Sequence, residues 1–361
     1  GPGVYIFRDG LGRPLYVGTS RNIRSRVRQY FVGSETRSRM GEMVGIAERV
    51  DPIPCAHALE AQVRELRLIA AQKPRYNRRS KFPERSVWLK LTLEPFPRLS
   101  VVRERRPDGA AYLGPLRSQR QAEAVRDAIH DAVPLRQCSD RLSLRRVVRA
   151  ACLLAGIGRC GAPCEGAVTQ QQYARLVGLV STAWTGDVRG LVEPLERKLA
   201  ALSEAQRYEQ AGLVRDRIAS VVRACARMQR LAGLQAIAEL GAARPDGSGG
   251  WDLAVIRSGR LAAAGHAERG IAPVPMMDVL RATADVVDEA HLPLTEESEC
   301  ILRWLEEPGT RLVWASHPWA MPAYGAGGLR GYLATQRDAD PFADRRRLPV
   351  VSRPVRPTLT A

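Results

Sequence analysis

Arg26 and Tyr30 lie four residues apart in the stretch RNIRSRVRQY, which makes them neighbours on one side of a helix. Ile23, Val27 and Tyr30 repeat at i, i+4 and i+7, so a helix starting near Ser20 would bury that stripe and draw Arg26 toward its apolar edge. An arginine held there suits an anion, whereas Arg21, Arg24 and Arg28 can point to water. A second constellation is sulfur-based. Cys138, Cys152, Cys160 and Cys164 crowd into 27 residues, while Cys55, Cys225 and Cys300 are solitary and read as core thiols. In a cytosolic chain such a cluster favours metal over disulfides. The Cys-x2-Cys knuckle common in zinc sites is absent, and four thiolates can ligate an iron-sulfur cluster; zinc and a metal-free reading are the alternatives.

The elements that must position these groups follow from the patterning. GVYIF and PLYVG read as strands before the Arg26 helix, and KPRYNRRSKFP ends the first segment with prolines and charge, setting it at 1–83. Segment 84–136 carries the strands SVWLKLTLE and RLSVVRE and the helix RQAEAVRDAIHDAV; the cysteine region occupies 137–166. From 167 to 240 the pattern is helical, with LVEPLERKLAALSEAQRYEQAGLVRDRIASVVRACARM as a helical hairpin. Leu195, Leu199, Leu202, Tyr208, Ala211, Leu213, Val214 and Ile218 are its expected apolar faces. ARPDGSGG reads as a linker or loop. A small α/β region over 250–320 follows, with two strands joined at Ser-Gly, helices near Met276–Val287 and Glu296–Leu305, and the strand RLVWAS. The Gly-, Pro- and Arg-rich tail, 321–361, is expected to be poorly ordered.

Charge narrows the partners. The net charge of +17 is lopsided: residues 1–164 hold 31 Lys/Arg against 15 Asp/Glu, net +16, and the remainder holds 24 against 23, net +1. This is an electrostatic footprint for a polyanion, with nucleic acid foremost. The 51 arginines against 4 lysines reflect base composition of the genome more than function. No apolar run is long enough for a membrane span and no signal peptide opens the chain, so a cytoplasmic protein without a membrane partner is expected.

GVYIF followed by LYVG resembles the paired signature of GIY-YIG nucleases, in particular the amino-terminal incision domain of the UvrC family. Arg26 and Tyr30 stand where that family has an arginine and a tyrosine. ALEAQVRELRLIAAQKPRYN matches too, placing Glu65 at the position of its metal-binding glutamate and Asn77 at that of its terminal asparagine. Taken singly, Tyr5 and Tyr16 would pass for strand core, and Arg26 and Glu65 for surface residues; their joint spacing over about 75 residues overrides this. The resemblance implies an α+β, multidomain fold whose nuclease domain is a small antiparallel sheet flanked by helices. It implies a single Mg2+ or Mn2+ on Glu65, Tyr16 as general base with Tyr5 in support, and Arg26 as electrostatic stabiliser beside Tyr30. A carboxylate for a metal, a phenol for water and a guanidinium for phosphate are the parts that phosphodiester hydrolysis requires. One departure stands out. Thr19 follows the second motif's glycine where the family usually has a lysine, and an unassisted phenol near pKa 10 is a poor base at neutral pH.

The similarity extends further. FPRLSVVRERRPDGAAYLGPLRS resembles the segment after the UvrC nuclease domain, and Arg98, Arg103, Arg105 and Arg106 become DNA contacts beside Arg21, Arg24, Arg28, Arg75, Arg78 and Arg79. The cysteine spacing is similar to that of UvrC relatives, implying a 4Fe–4S cluster as a structural staple. LERKLAALSEAQRYEQAGLVRDRI is similar to the UVR motif that meets a UvrB-like protein. No acidic and histidine set matching the RNase H-like second nuclease of UvrC surrounds His266, His291 or His317, so a single incision is expected, as in Cho-like nucleases. SETRSRM, RYNRRSKFPER and GRCGAPCEG also resemble fusions in which a DnaQ-like 3'-5' exonuclease precedes the GIY-YIG region, and the start at Gly1, inside the first motif, fits such an origin. The sequence therefore reads as a structure- or damage-dependent DNA endonuclease of nucleotide excision repair. The alternatives are a catalytically weak DNA-binding or repair-complex scaffold and, on the cysteines alone, a redox sensor.

Overall fold

Backbone pairing near the amino terminus begins with a hairpin whose turn is closed by one side chain: the Asp9 carboxylate accepts from the amides of Leu11 (3.1 Å) and Arg13 (2.8 Å). The hairpin joins β1 (Gly3–Arg8) to β2 (Pro14–Ser20), and β3 (Arg49–Pro54) completes an antiparallel sheet of order β2-β1-β3. These elements belong to a computed structural model that describes residues 1–32, 38–83, 86–142, 152–287, 294–329 and 331–332. Helices α1 (Ile23–Phe31), α2 (Ser38–Ile46) and α3 (Ala58–Gln72) flank the sheet. The Asn22 side chain caps α1 by accepting from the Ser25 amide at 3.1 Å, so the helix starts slightly later than expected near Ser20.

Strand alternation divides the sheet's residues. Tyr5, Phe7 and Tyr16 pack with Tyr30 of α1 and with Met43 of α2, whereas Val4, Ile6 and Val17 pack with Ala61 and Ile69 of α3. Helix α3 is apolar on two sides. Ala61, Glu65 and Ile69 follow one another at four-residue intervals along the side that meets the sheet; Leu59 and Val63 lie on the other and enter a separate core.

The middle of the chain builds a second sheet, β5-β4-β6, from β4 (Val87–Leu91), β5 (Leu99–Val102) and β6 (Ala111–Leu116). Helix α4 (Gln119–Ala132) and the short α5 (Leu153–Gly156) precede three long helices, α6 (Gln170–Thr185), α7 (Arg189–Glu204) and α8 (Tyr208–Gln235). One apolar core joins this sheet to these long helices through Leu89, Leu113, Ile129, Trp184, Leu191 and Ile218. The start of the presumed loose tail also enters it. Ala326 is fully buried, its amide donates to Gln229 Oε1 at 2.9 Å, and Tyr332 donates from its hydroxyl to Glu196 at 2.7 Å. Expected looseness is thus corrected for this stretch; residues 333–361 lie outside the described residues.

The last sheet, β10-β7-β8-β9, comprises β7 (Glu239–Pro245), β8 (Trp251–Arg257), β9 (Arg260–Ala267) and β10 (Arg311–Ala315), with α9 (Pro273–Thr283) and α10 (Thr295–Leu305) against it. Of ARPDGSGG, expected as a linker or loop, Ala243–Pro245 instead finish β7, and the rest is a loop in which Asp246 holds the turn into β8 through the amides of Ser248 (2.7 Å) and Gly250 (2.9 Å). The core of this region takes in Leu231 and Leu234 from the end of α8 and Leu59 and Val63 from α3. Among the described residues, no helix is long and apolar enough to cross a membrane.

Candidate active site

The register sets Tyr5 opposite Gly18 and Phe7 opposite Tyr16. A Cβ at position 18 would stand 2.6 Å from the Tyr5 hydroxyl oxygen and 2.8 Å from Tyr16 Cε1, so glycine there lets the two phenols converge. With Tyr30 from α1 they form a triangle of rings whose centroids are 6.0 to 6.3 Å apart. The Tyr5 and Tyr30 hydroxyls share a hydrogen bond of 3.0 Å. Burial, then the bond to Tyr30, drives the Tyr5 phenol far above its ordinary value, so it stays protonated. Tyr5 and Tyr30 are buried, whereas Tyr16 is half-buried and is the phenol of the three that water can reach.

Arg26 is half-buried beside this group, its Cζ 5.0 Å from the Tyr30 ring centroid, and Nη1 donates to Gln29 at 2.9 Å. Burial opposes its charge, but hydrogen bonding to Tyr5 and the nearness of Tyr30 raise its pKa on balance, so it remains a cation. The spacing argument had placed Arg26 at this apolar edge.

Glu65 approaches β2 from α3. Its Oε2 accepts a hydrogen bond of 3.3 Å from Thr19, the residue that departs from the family pattern. The neighbouring arginines are occupied elsewhere: Arg64 bonds Glu60 at 2.8 Å and Arg67 bonds Glu297 at 2.7 Å. Burial pushes the Glu65 carboxyl up to about 6, with the Thr19 bond acting weakly the other way. Thr19 and Tyr16 project from alternate sides of the same edge strand, so Glu65 and the phenol–arginine group meet that strand from different directions. Asn77 is buried and spends both ends of its amide on one residue, accepting from the Val17 amide and donating to the Val17 carbonyl, each at 2.9 Å. It clamps β2 beside Tyr16.

Among the expected nucleic-acid contacts, Arg21, Arg24, Arg28, Arg78, Arg79 and Arg103 are exposed. Arg75 is exposed and bridges to Glu42 at 3.2 Å. Arg98 is partly buried and lies 3.8 Å from Glu94, so it is more a packing residue than an open contact.

The sequence was compared with known proteins. Residues 1–78 match the UvrC-like GIY-YIG domain, 86–182 the middle domain of UvrC/Cho excinuclease and 189–223 the UvrB/uvrC motif. The chain carries the domain array of the UvrC/Cho family. A Mycobacterium tuberculosis protein named as a bifunctional exonuclease/endonuclease is 42% identical over 347 residues, which cover 94% of this chain and 53% of that protein. The UvrABC system protein C of Salinispora arenicola is 37% identical over 226 residues, 62% of this chain and 34% of the relative. The chain thus spans about half of the first relative and a third of the second. A crystal structure of the GIY-YIG endonuclease domain of Thermotoga maritima UvrC, a point mutant bound to its catalytic divalent cation, is 29% identical, with a TM-score of 0.20 over 22% of this chain and 83% of that one.

Within this UvrC/Cho array, the middle domain leads into the cysteines. Cys138 and Cys152 are exposed and Cys160 and Cys164 half-buried. Burial raises the Cys160 thiol, and the three other thiols of the cluster raise it further. Arg136, buried beneath them, donates to the Cys138 carbonyl at 2.9 Å and approaches its sulfur at 3.5 Å. Among the described residues, no three His, Cys, Asp or Glu side chains are grouped as a single metal ion needs. In the UVR hairpin formed by α7 and α8, Leu195, Val214, Ile218 and Ala211 are buried and Leu199 and Leu202 partly so, while Tyr208 and Leu213, expected with them on the apolar faces, are 67% and 60% exposed.

Sequence reasoning missed the supports of the site. Glu297 is buried 230 positions from Arg67, accepts from its guanidinium and also from the Leu261 amide at 2.9 Å. His57, just before α3, bonds the Leu253 carbonyl at 2.8 Å and stacks on Trp304 with centroids 6.0 Å apart. It also missed the carboxylates beside His266, which sits 3.2 Å from Asp252 and 3.6 Å from Asp246; these brace a hairpin. His291 lies outside the described residues.

Proposed function

We propose that this chain is a metal-dependent DNA endonuclease that makes a single incision during repair. The observation that carries the reading is Glu65: a half-buried carboxylate on α3, bonded to Thr19 of the edge strand that also presents Tyr16, while the adjacent arginines serve other partners. Burying a carboxylate this way costs stability, and a bound cation would recover it. Magnesium or manganese fits one carboxylate, since such ions keep most of their waters and take further oxygens from phosphate. When bound, the cation supplies positive charge to the phosphate and acidifies coordinated water. Tyr16, reachable by solvent, takes the proton from the attacking water; Arg26 stabilises the charge gathering on phosphate oxygens. Tyr5 and Tyr30 orient this pair through their shared hydrogen bond, and Asn77 holds the strand.

The cysteine spacing, which lacks the Cys-x2-Cys knuckle common in zinc sites, supports a 4Fe–4S cluster as a structural staple, with zinc as the alternative. Iron and sulfide content per chain tests this, and a folded, colourless, zinc-loaded preparation would reject it. The exposed Tyr208 and Leu213 suit a UvrB-like partner, and the first relative's name, which pairs an exonuclease with an endonuclease, supports joining to an exonuclease. The deciding experiment is nicking of end-labelled duplex, bubble and lesion-bearing DNA with magnesium or manganese, against Glu65→Ala and Tyr16→Phe. Metal-dependent nicks lost in both variants support the reading; binding without cutting under either metal favours the scaffold.

A further inference from the structure

Away from the Tyr16–Glu65 site, the middle domain encloses a cavity of about 950 Å³ between the β4–β6 sheet, the end of α6 and α8; its lining begins at Pro83. That volume is near the top of the range of roughly 300–1,000 Å³ for ligand pockets. Its wall is an aromatic platform. Trp88, half-buried on the central strand β4, meets Tyr112 edge-on, with ring centroids 6.3 Å apart at 88°. Gly114 makes room for that ring: a Cβ there would stand 2.8 Å from Trp88 Cε3, and its φ of +151° is one that side chains avoid. Trp184 also lines the cavity and is 1% exposed, so it closes the floor behind the platform.

The rim gives the occupant's charge. Arg105 and Arg106 line it and are exposed, and the Arg105 guanidinium lies 6.0 Å from the Trp88 ring. Arg106 pairs with Glu104 at 3.3 Å with both side chains largely exposed, so an incoming phosphate can displace that partner cheaply. An aromatic face and cations at the mouth match an unstacked nucleotide, with base inside and phosphate at the rim.

We propose that this cavity binds an unstacked base of DNA, one that is single-stranded or turned out of the duplex, at a second contact separate from the incision site. The proposal rests on DNA being the substrate. Trp88 stacks on the base, and Arg105 and Arg106 hold the flanking phosphates. The test uses the full chain carrying Glu65→Gln, so that binding is read without cutting. Anisotropy at one fixed salt concentration compares a single-stranded oligonucleotide with its fully abasic counterpart. The intact strand is expected to bind about five-fold or more tighter, as loss of one stacked base implies. Trp88→Ala should abolish that preference, Trp88→Phe should keep most of it, and Arg105→Ala should weaken both strands alike. Photocross-linking with 5-iodouracil should mark the Trp88 peptide. A preference unchanged in a folded Trp88→Ala protein, or cross-links confined to residues 1–82, would overturn the assignment. Nicking is read separately on the parent chain: if no metal supports it while the Trp88-dependent preference persists, the nuclease reading fails and the base site stands.

Discussion

Replacing Glu65 with glutamine should make the protein more stable at neutral pH while removing its nuclease activity. Burial raises this carboxyl from 4.5 to about 6. A shift of that size corresponds to about 2 kcal/mol, at 1.36 kcal/mol per pH unit. The sign follows from proton linkage. With a raised folded-state pKa, the group's favourable contribution is complete below about pH 4.5 and is lost as pH rises through about 6. Above pH 6 the buried charge therefore burdens the folded chain, and Glu65→Gln, which keeps an acceptor for Thr19, carries no such burden. In urea titrations with EDTA at pH 7, the variant should gain up to about 2 kcal/mol, and the gain should vanish near pH 4.5. Added magnesium should stabilise the parent and leave the variant unmoved. A variant no more stable than the parent at pH 7, or a gain independent of pH, would refute the argument that burial strains this carboxylate.

Other outcomes follow from the same geometry. Tyr16→Phe should lower nicking by roughly 10²–10⁴-fold with little change in melting temperature, since the half-buried ring is retained. Gly18→Ala should cost about 1–3 kcal/mol in chemical denaturation and distort the phenol cluster, because the new methyl would overlap Tyr5. Glu297→Ala removes the partner of both Arg67 and the Leu261 amide, and should cost about 1.5–3 kcal/mol by the same measurement. Tyr208→Ser with Leu213→Ser should weaken capture of a UvrB-like protein in a pull-down while leaving the melting temperature within about 1 °C, because exposed changes cost little.

Local signals carried well from sequence to structure. The tyrosine strands and the Arg26–Tyr30 spacing appear where alternation and helical periodicity put them, since both depend on neighbours within one or two turns. Strand β3 was invisible because RVDPIP holds Pro52 and Pro54, which argue against a strand; they are tolerated at the edge of the β2-β1-β3 sheet. For Glu65 the local and the joint signals differ. Taken alone, Arg64 and Arg67 suggest an exposed, bridged glutamate, which the joint motif spacing overrides; helical geometry turns Arg67 toward Glu297, a partner 230 positions away that no periodicity can announce. Thr19, the departure that bears on rate more than on reaction type, supplies a hydroxyl that meets Glu65.

Helix α8 runs for 28 residues, about 42 Å at 1.5 Å per residue. One end carries the exposed Tyr208, and the other sinks Leu231 and Leu234 into the core that grips α3. It is in effect a strut: held along its first half by Val214 and Ile218 in the middle core, it runs from an exposed tyrosine to an anchorage shared with the helix that bears Glu65.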